Sequence, residues 1–463
     1  MSRQYPCQRR LKRSKESKLE CCKSAGQLHA SNMRCCHNVK GFRLPRSNMV
    51  QYTGVLCHLT SLPSGNLDDA EQFIDILAKS GATVWQMLPI TPPDEHNSPY
   101  SSPSAFAAWC ELNQSDCQLD TSDEDEYWLD DWALYEAIKK QQGGAPWYEW
   151  PTELREREPA TLSKVIINTD CQRQFNYRWN QLRQYATSKG ISLIGDLPLY
   201  IAHDSADVWA HRELFQLDAN GMPTVVAGVP PDYFSEEGQK WGTVLYDWDA
   251  HRAEGWQWWR QRMARLLRQF DIVRIDHFRG FDSAWAIPAD DENARHGQWQ
   301  EGPKDELLEQ LLDIAKSPRC IIAEDLGIIP PAVIELRKRH QLEGMAVLQF
   351  GFEGSPENSN RPNNIQADQV VYTGTHDNDT TASWGISPPK EFSIMEGKSV
   401  CQTLINIALN CNSGMAIIPL QDIMELGTSA RMNVPGTTFG NWKWQFQWQD
   451  LPSFNLSPPS SSS

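Results

Sequence analysis

From residue 53 onward the chain repeats one alternation, a short β-branched or apolar run followed in most cases by a segment of helical periodicity. Eight such runs can be read: VLCHL (55–59), TVWQML (83–88), SLIGD (192–196), IVRID (272–276), CIIAE (320–324), AVLQF (346–350), VVYTG (370–374) and MAIIP (415–419). Between the first two, DDAEQFIDILAKSG sets Phe73, Ile74, Leu77 and Ala78 on one helical face ahead of a terminating Gly81. GWQWWRQRMARLLRQF, before the fourth run, is helical in the same way. Eight strands alternating with helices predict an α/β fold, a (β/α)8 TIM barrel, and the long gap between strands two and three predicts inserted subdomains, notably there. A doubly wound sheet would want a Gly-rich phosphate turn after its first strand, and CHLTSLPSG contains no GxGxxG.

Length and charge agree with one large barrel and narrow the partners. The 463 residues carry 43 − 59 = −16 formal charges, and no basic stripe occurs outside the first 48 residues, which disfavours nucleic acid. No window approaches 18 consecutive apolar residues, so no membrane span is expected. Residues 1–48 are compositionally foreign, with 12 Lys/Arg, 2 acidic residues and 5 of the 12 cysteines. They lack the apolar stretch of a secretory signal; they read either as an organelle transit peptide or as an extension before a true start at Met49, and in both cases as a disordered basic leader outside the fold. The catalytic domain is expected at 49–455 and a disordered tail at 456–463, where the chain ends in SPPSSSS. The seven later cysteines are odd in number and form no CxxC pair, which suits reduced thiols better than a disulfide frame or a zinc site.

In a barrel enzyme the chemistry lies at the carboxyl ends of the strands. Here strand three ends at Asp196, strand four at Asp276, strand five at Glu324, and strand seven runs into THDND with His376 and Asp377. Arg274 and Asp276 are two apart, so both point inward to the barrel axis. An inward guanidinium among carboxylates lowers the expense of burying them and favours the ionised form of an attacking carboxylate. A lone acid at a strand end is more often a helix cap than a catalyst, but four on one face are hard to bury without function. Such clusters serve metal binding or glycosyl transfer by a carboxylate pair. The metal reading would use Asp276, His277, Glu324, His376 and Asp377, yet strand one offers only His58 where an HxH is usual, so no metal and no organic cofactor is expected. The 19 tryptophans favour carbohydrate, since flat rings stack on sugar faces; Trp109, Trp241, Trp248, Trp384, Trp442 and Trp444 stand beside polar or turn residues, while several others must be core.

DIVRIDHFRG, CIIAEDLG and GTHDNDT, with HLTSLPSG, WQMLPI, SPYSSPSAFA, GDLPLYIAHDSADVW, AGVPPDYFSEEGQKWG and RMNVPGTTFGNW, closely resemble the 4-α-glucanotransferases of glycoside hydrolase family 77, the amylomaltases or disproportionating enzymes, over roughly residues 53 to 446 and in order. The resemblance implies that Asp276 is the nucleophile, Glu324 the general acid/base and Asp377 the residue that stabilises the distorted sugar. It further implies that Arg274, Asp196 and His376 hold the −1 glucosyl unit, and that Tyr100 with the loop carrying Asp232, Gln239 and Trp241 lines the acceptor and neighbouring subsites. One departure is visible: the family usually reads WGNPLY, and this chain reads WGTVLY at Trp241 to Tyr246. The implied reaction is a retaining transfer of α-1,4-glucan segments to the 4-hydroxyl of an acceptor glucan or glucose, with maltooligosaccharides as substrates, a monomer or weak homodimer, and a cytoplasmic location unless the leader addresses a plastid. An α-1,4-glucan hydrolase of amylase type would use the same carboxylates, and a non-catalytic glucan binder is the rival of another class. The match of AGVPPDYFS and the lack of a separate β-sandwich after the barrel count against the hydrolase, and the intact trio of Asp276, Glu324 and Asp377 counts against the binder.

Overall fold

The computed structural model describes residues 50–115, 119, 127–231 and 236–458; the leader, most of the stretch 116–126, the tip 232–235 and the last five residues lie outside the description. Twelve strands occur among the described residues: β1 (Tyr52–Leu56), β2 (Val84–Gln86), β3 (Ser192–Leu197), β4 (Val225–Val229), β5 (Gln239–Val244), β6 (Ile272–Ile275), β7 (Ser283–Pro288), β8 (Gln298–Glu301), β9 (Ile321–Ala323), β10 (Gly344–Val347), β11 (Gln369–Tyr372) and β12 (Met415–Pro419). Eight are parallel, in the order β10-β11-β12-β1-β2-β3-β6-β9. A parallel bridge between Ile322 and Glu343, with the Ala323 N–H donating to the Glu343 carbonyl at 2.7 Å, joins β9 to the approach of β10 and closes the ring. All eight predicted strands are present. Their bounds sit up to three residues away from the sequence reading, because residues such as His58 and Leu348–Phe350 have already turned off the ladder to build the rim.

Side-chain alternation separates two cores. Leu56, Val84, Ile194, Ile272, Ile322, Val347, Tyr372 and Ile417 form one buried cluster inside the barrel. Their neighbours Val55, Trp85, Leu193, Val273, Ile275, Ile321, Ala346 and Val371 pack outward into the layer shared with the helices. This is the two-residue period of a strand buried on both faces. Gly195 faces that outer layer, where a Cβ would run into the Phe270 ring, so β3 and the end of helix Gln257–Gln269 approach only without a side chain there. Helix Ala70–Lys79 buries Ala70, Phe73, Ile74 and Leu77 with Ala78 partly covered, and Gly81 follows at φ +80°, the left-handed turn that ends it. No helix among the described residues is long and apolar enough to cross a membrane.

The connection from β2 to β3 does carry an inserted subdomain, with helices Leu129–Gln141 and Asp170–Ser188. The sequence reading missed the other insertion. β4 and β5 follow the third barrel strand, β7 and β8 follow the fourth, and the four pair as an antiparallel sheet β5-β4-β7-β8. VVAGV is apolar enough for a strand but lies between Pro223 and Pro230–Pro231, while QKWGTV is mostly half-buried or exposed and offers little apolar pattern.

Two further expectations change, and the tryptophan surplus divides as expected. Leu456 is 2 % exposed, its N–H donates to the Ser80 carbonyl at 2.7 Å and its carbonyl accepts from Thr53 Oγ1 at 2.6 Å, so the packed chain runs past the expected boundary at 455. Phe454 and Leu456, ahead of the Ser/Pro run, both pack against the core. Cys110 and Cys171 are joined by a disulfide, with Cα atoms 5.9 Å apart, whereas Cys57, Cys401 and Cys411 are free thiols as expected. Trp85, Trp147, Trp179, Trp209, Trp258 and Trp259 are fully buried, so much of the tryptophan surplus serves packing rather than sugar.

Candidate active site

The ladder itself sets the floor of the site. β3 and β6 pair in a register that places Asp196 beside Arg274, and both side chains point into the barrel mouth at 2 % and 4 % exposure. Arg274 Nη1 donates to Asp196 Oδ2 at 2.6 Å and its Nη2 meets Asp276 Oδ1 at 2.8 Å, so one guanidinium joins two acids. Tyr100 adds its hydroxyl to the same Asp196 Oδ2 at 2.7 Å. Burial pushes the Asp196 carboxyl above the usual carboxylate range against the pull of Arg274, and the same two acids hold the Arg274 guanidinium charged. Asp196 Oδ1, Thr91 Oγ1, the Tyr200 hydroxyl and Arg262 Nε have no hydrogen-bond partner among the described residues, and these four residues all line one cavity of about 20 Å³, room for a single water.

Past Asp276 the chain turns abruptly. His277 adopts φ +51°, a conformation rarely taken outside glycine, and the turn aims its N–H at Glu324 Oε2 at 2.7 Å while the Phe278 N–H reaches the Glu324 carbonyl at 3.1 Å. Leu326 N–H donates to Oε1 at 3.2 Å. Desolvation and the neighbouring Asp276 charge nonetheless push the Glu324 pKa up to about 8, opposed by Arg274 and these amides. The His277 ring, lowered to about 4 by burial, stands edge-on to Trp241 with centroids 4.8 Å apart and beside Tyr200 at 6.1 Å. Among the described residues no three His, Cys, Asp or Glu groups come together in a way that could hold a metal ion.

The β11 end and the RMN segment are stitched into one piece. Asn433 Nδ2 donates to Asp377 Oδ1 at 2.6 Å, its N–H to the His376 carbonyl at 3.0 Å, and Arg431 bonds the Asp377 carbonyl at 2.6 Å and the Asn433 carbonyl at 2.8 Å. His376 lies flat against Tyr100 at 5.1 Å and near Trp442 at 5.9 Å. Asp276, Asp377, His376, Tyr100, Gln239 and Trp241 all line one cleft of about 380 Å³. The predicted residues are therefore brought together, apart from Asp232, which lies outside the described residues. Trp241 is 38 % exposed and donates its indole N–H to Gln239 Oε1 at 3.1 Å, both on β5. Of the other tryptophans singled out, Trp442 lines the cleft, while Trp109, Trp248, Trp384 and Trp444 pack against the core.

The sequence reading gave no role to Arg431, Asn433 or Tyr200. The signal was the RMNVPGTTFGNW block, whose apolar content cannot explain an Arg and an Asn beside a tryptophan.

Fold and rim together define a (β/α)8 barrel of the carbohydrate-active kind, with carboxylates at the strand ends and an aromatic-lined cleft above them. A family model described as 4-alpha-glucanotransferase matches residues 57–116 and 111–450. The 4-alpha-glucanotransferase of Thermus thermophilus is 38 % identical, covering 85 % of this chain and 94 % of its own length. The chloroplastic/amyloplastic 4-alpha-glucanotransferase of Solanum tuberosum is also 38 % identical, over 85 % of this chain and 81 % of its own. Among solved structures, an amylomaltase from Streptococcus agalactiae in complex with acarbose superposes with a TM-score of 0.80 at 30 % identity, covering 87 % of this chain and 96 % of that one. The chain belongs to the 4-alpha-glucanotransferase family.

Proposed function

We propose that the protein is a 4-α-glucanotransferase that moves α-1,4-glucan segments from a donor maltodextrin to the 4-hydroxyl of an acceptor glucan or glucose. The observation that carries the reaction type is the contrast between two neighbouring carboxyls. Glu324 is lifted to about 8 by burial and by the neighbouring Asp276 and holds a proton at neutral pH, while Asp276 meets the Arg274 guanidinium at 2.8 Å. Asp276 attacks the anomeric carbon as Glu324 gives its proton to the departing 4-oxygen, leaving a glycosyl ester on Asp276. Glu324, now a carboxylate, takes the proton from the incoming 4-hydroxyl, which displaces Asp276 and restores an α-1,4 bond. Two inversions give net retention.

In this reading Asp377, fixed by Asn433 and Arg431, accepts from hydroxyls of the distorted sugar. Arg274, Asp196 and His376 hold the −1 unit, and Tyr100, Asp232, Gln239 and Trp241 line the adjoining subsites. The carboxylate pair supplies both nucleophile and proton, so no cofactor enters the cycle. The acidic balance and the missing basic stripe support small neutral glucans rather than nucleic acid or membrane as partners. We take the working form to be a monomer or weak homodimer in the cytoplasm, or in the plastid stroma if residues 1–48 act as a transit peptide.

Incubation with maltotriose tests the function. Glucose plus a ladder of longer maltodextrins is the expected product pattern; shortening alone would mean a hydrolase, and unchanged maltotriose a binder.

A further inference from the structure

We propose that Phe439 and His96 form a distal subsite that takes the extended part of a long α-1,4-glucan leaving the catalytic cleft. The inference rests on the reading that this cleft binds α-glucans, and it says how long a glucan the protein is built to hold. The cleft that contains Asp276 and Asp377 is also lined by Asp94, His96, Thr437 and Thr438. Phe439, the next residue after Thr438, is 83 % exposed, with its ring edge-on to the cleft residue His96 at a centroid distance of 5.8 Å and an angle of 72°. At the reacting centre Tyr100, His376 and Trp442 lie 5.1 to 5.9 Å from one another, and Trp442 stands three residues after Phe439 in the chain.

Both loops that present the pair are tied to themselves. Asp94 Oδ1 accepts from the His96 and Ser98 amides at 2.9 and 2.8 Å. Asn441 Oδ1 accepts from the Val434 amide at 3.0 Å, and its Nδ2 donates to the Thr437 carbonyl at 2.9 Å. An apolar ring held toward water by a fixed loop is unlike a side chain that simply failed to find the core. It offers a flat face at which the C–H side of a glucosyl ring can replace water. The neighbours set the ligand class. Asp94 lines the same cleft and its chain neighbour Glu95 is 88 % exposed, so this part of the protein repels anions and suits a neutral glucan rather than a phosphorylated sugar.

The test compares the wild type with Phe439→Ala, Phe439→Leu and Phe439→Trp on maltotriose and on a long maltodextrin. Phe439→Ala should keep kcat/KM on maltotriose within about twofold and lose about five- to tenfold on the long donor, mostly through KM. Trp should restore the long-donor rate and Leu should not, because a flat ring rather than apolar character makes the contact. His96→Ala should move the same way as Phe439→Ala. Equal losses on both substrates, an unchanged long-donor rate, or full rescue by Leu would each overturn the proposal. Failure of the transferase reading itself would show differently, as wild type that leaves maltotriose untouched. Mobility in a gel containing amylose reads the same contact without turnover: the wild type should be retarded more than Phe439→Ala, and equal retardation counts against the subsite.

Discussion

The floor and the rim of the cleft are built in opposite ways. On the floor, Asp196 and Arg274 sit at 2 % and 4 % exposure on neighbouring strands, and their separation is set by a ladder register that the rest of the barrel also depends on. On the rim, Gln239 and Trp241 ride on a hairpin of the second sheet, Asn433 and Trp442 on a loop after β12, and Phe439 projects at 83 % exposure. The floor groups have to be fixed to within a fraction of an ångström and kept dry, since desolvation is what lifts Glu324 most. In the proposed function the rim groups meet a long and repetitive substrate, and segments outside the barrel can vary without disturbing the ladder. The proposed function thus assigns chemistry and recognition to different layers of one fold.

The comparison can be broken by substitutions that should differ in size from floor to rim. Asp276→Asn should lower transfer by about three orders of magnitude or more while thermal unfolding stays near wild type, because an amide cannot form the glycosyl ester. Retention of a tenth of the activity in protein free of wild type would remove Asp276 from its role. Arg274→Met strips the counter-charge from the fully buried Asp196 and should destabilise the fold by about 3–5 kcal/mol, read by denaturant titration. The same variant carries a pH signature. Glu324 acts only while protonated, so wild-type kcat/KM should hold below and fall tenfold per unit above about pH 8. Arg274 is a charge that lowers the Glu324 pKa, so its loss should move this alkaline limb to higher pH; a limb that stays still or moves down would contradict the assignment. Asn433→Ala removes a 2.6 Å hydrogen bond to an acid and should cut kcat about ten- to hundredfold with little change in KM. Trp241→Ala, on the rim, should change kcat least and raise the acceptor KM about fivefold, measured with glucose as acceptor.

Legibility in the sequence follows the same division. Each barrel strand is a short apolar run, and the acids that end β3, β6 and β9 break that run at positions a buried strand should not tolerate. Asp196, Arg274, Asp276 and Glu324 could therefore be placed from pattern alone. The second sheet could not. Its strands are flanked by prolines or only half-buried, and its pairing of β4 with β7 joins segments about sixty residues apart, which no local pattern encodes. Asn433 and Arg431 were visible as a motif but silent as to role, because a hydrogen bond to Asp377 is a fact of tertiary approach. The tryptophans misled in the other direction, since a ring that stacks on sugar and a ring that fills a core have the same letter.

The central claim is that Asp276 carries the sugar between donor and acceptor while Glu324 handles the proton. Glu324→Gln enzyme given an α-maltosyl fluoride, whose leaving group needs no acid, isolates that step. Peptide mapping by mass spectrometry should find one maltosyl group esterified to the peptide containing Asp276, and no such adduct in the double variant that also carries Asp276→Asn. A maltosyl adduct on any other carboxylate, or consumption of the fluoride with no adduct at any stage of the reaction, would contradict the account.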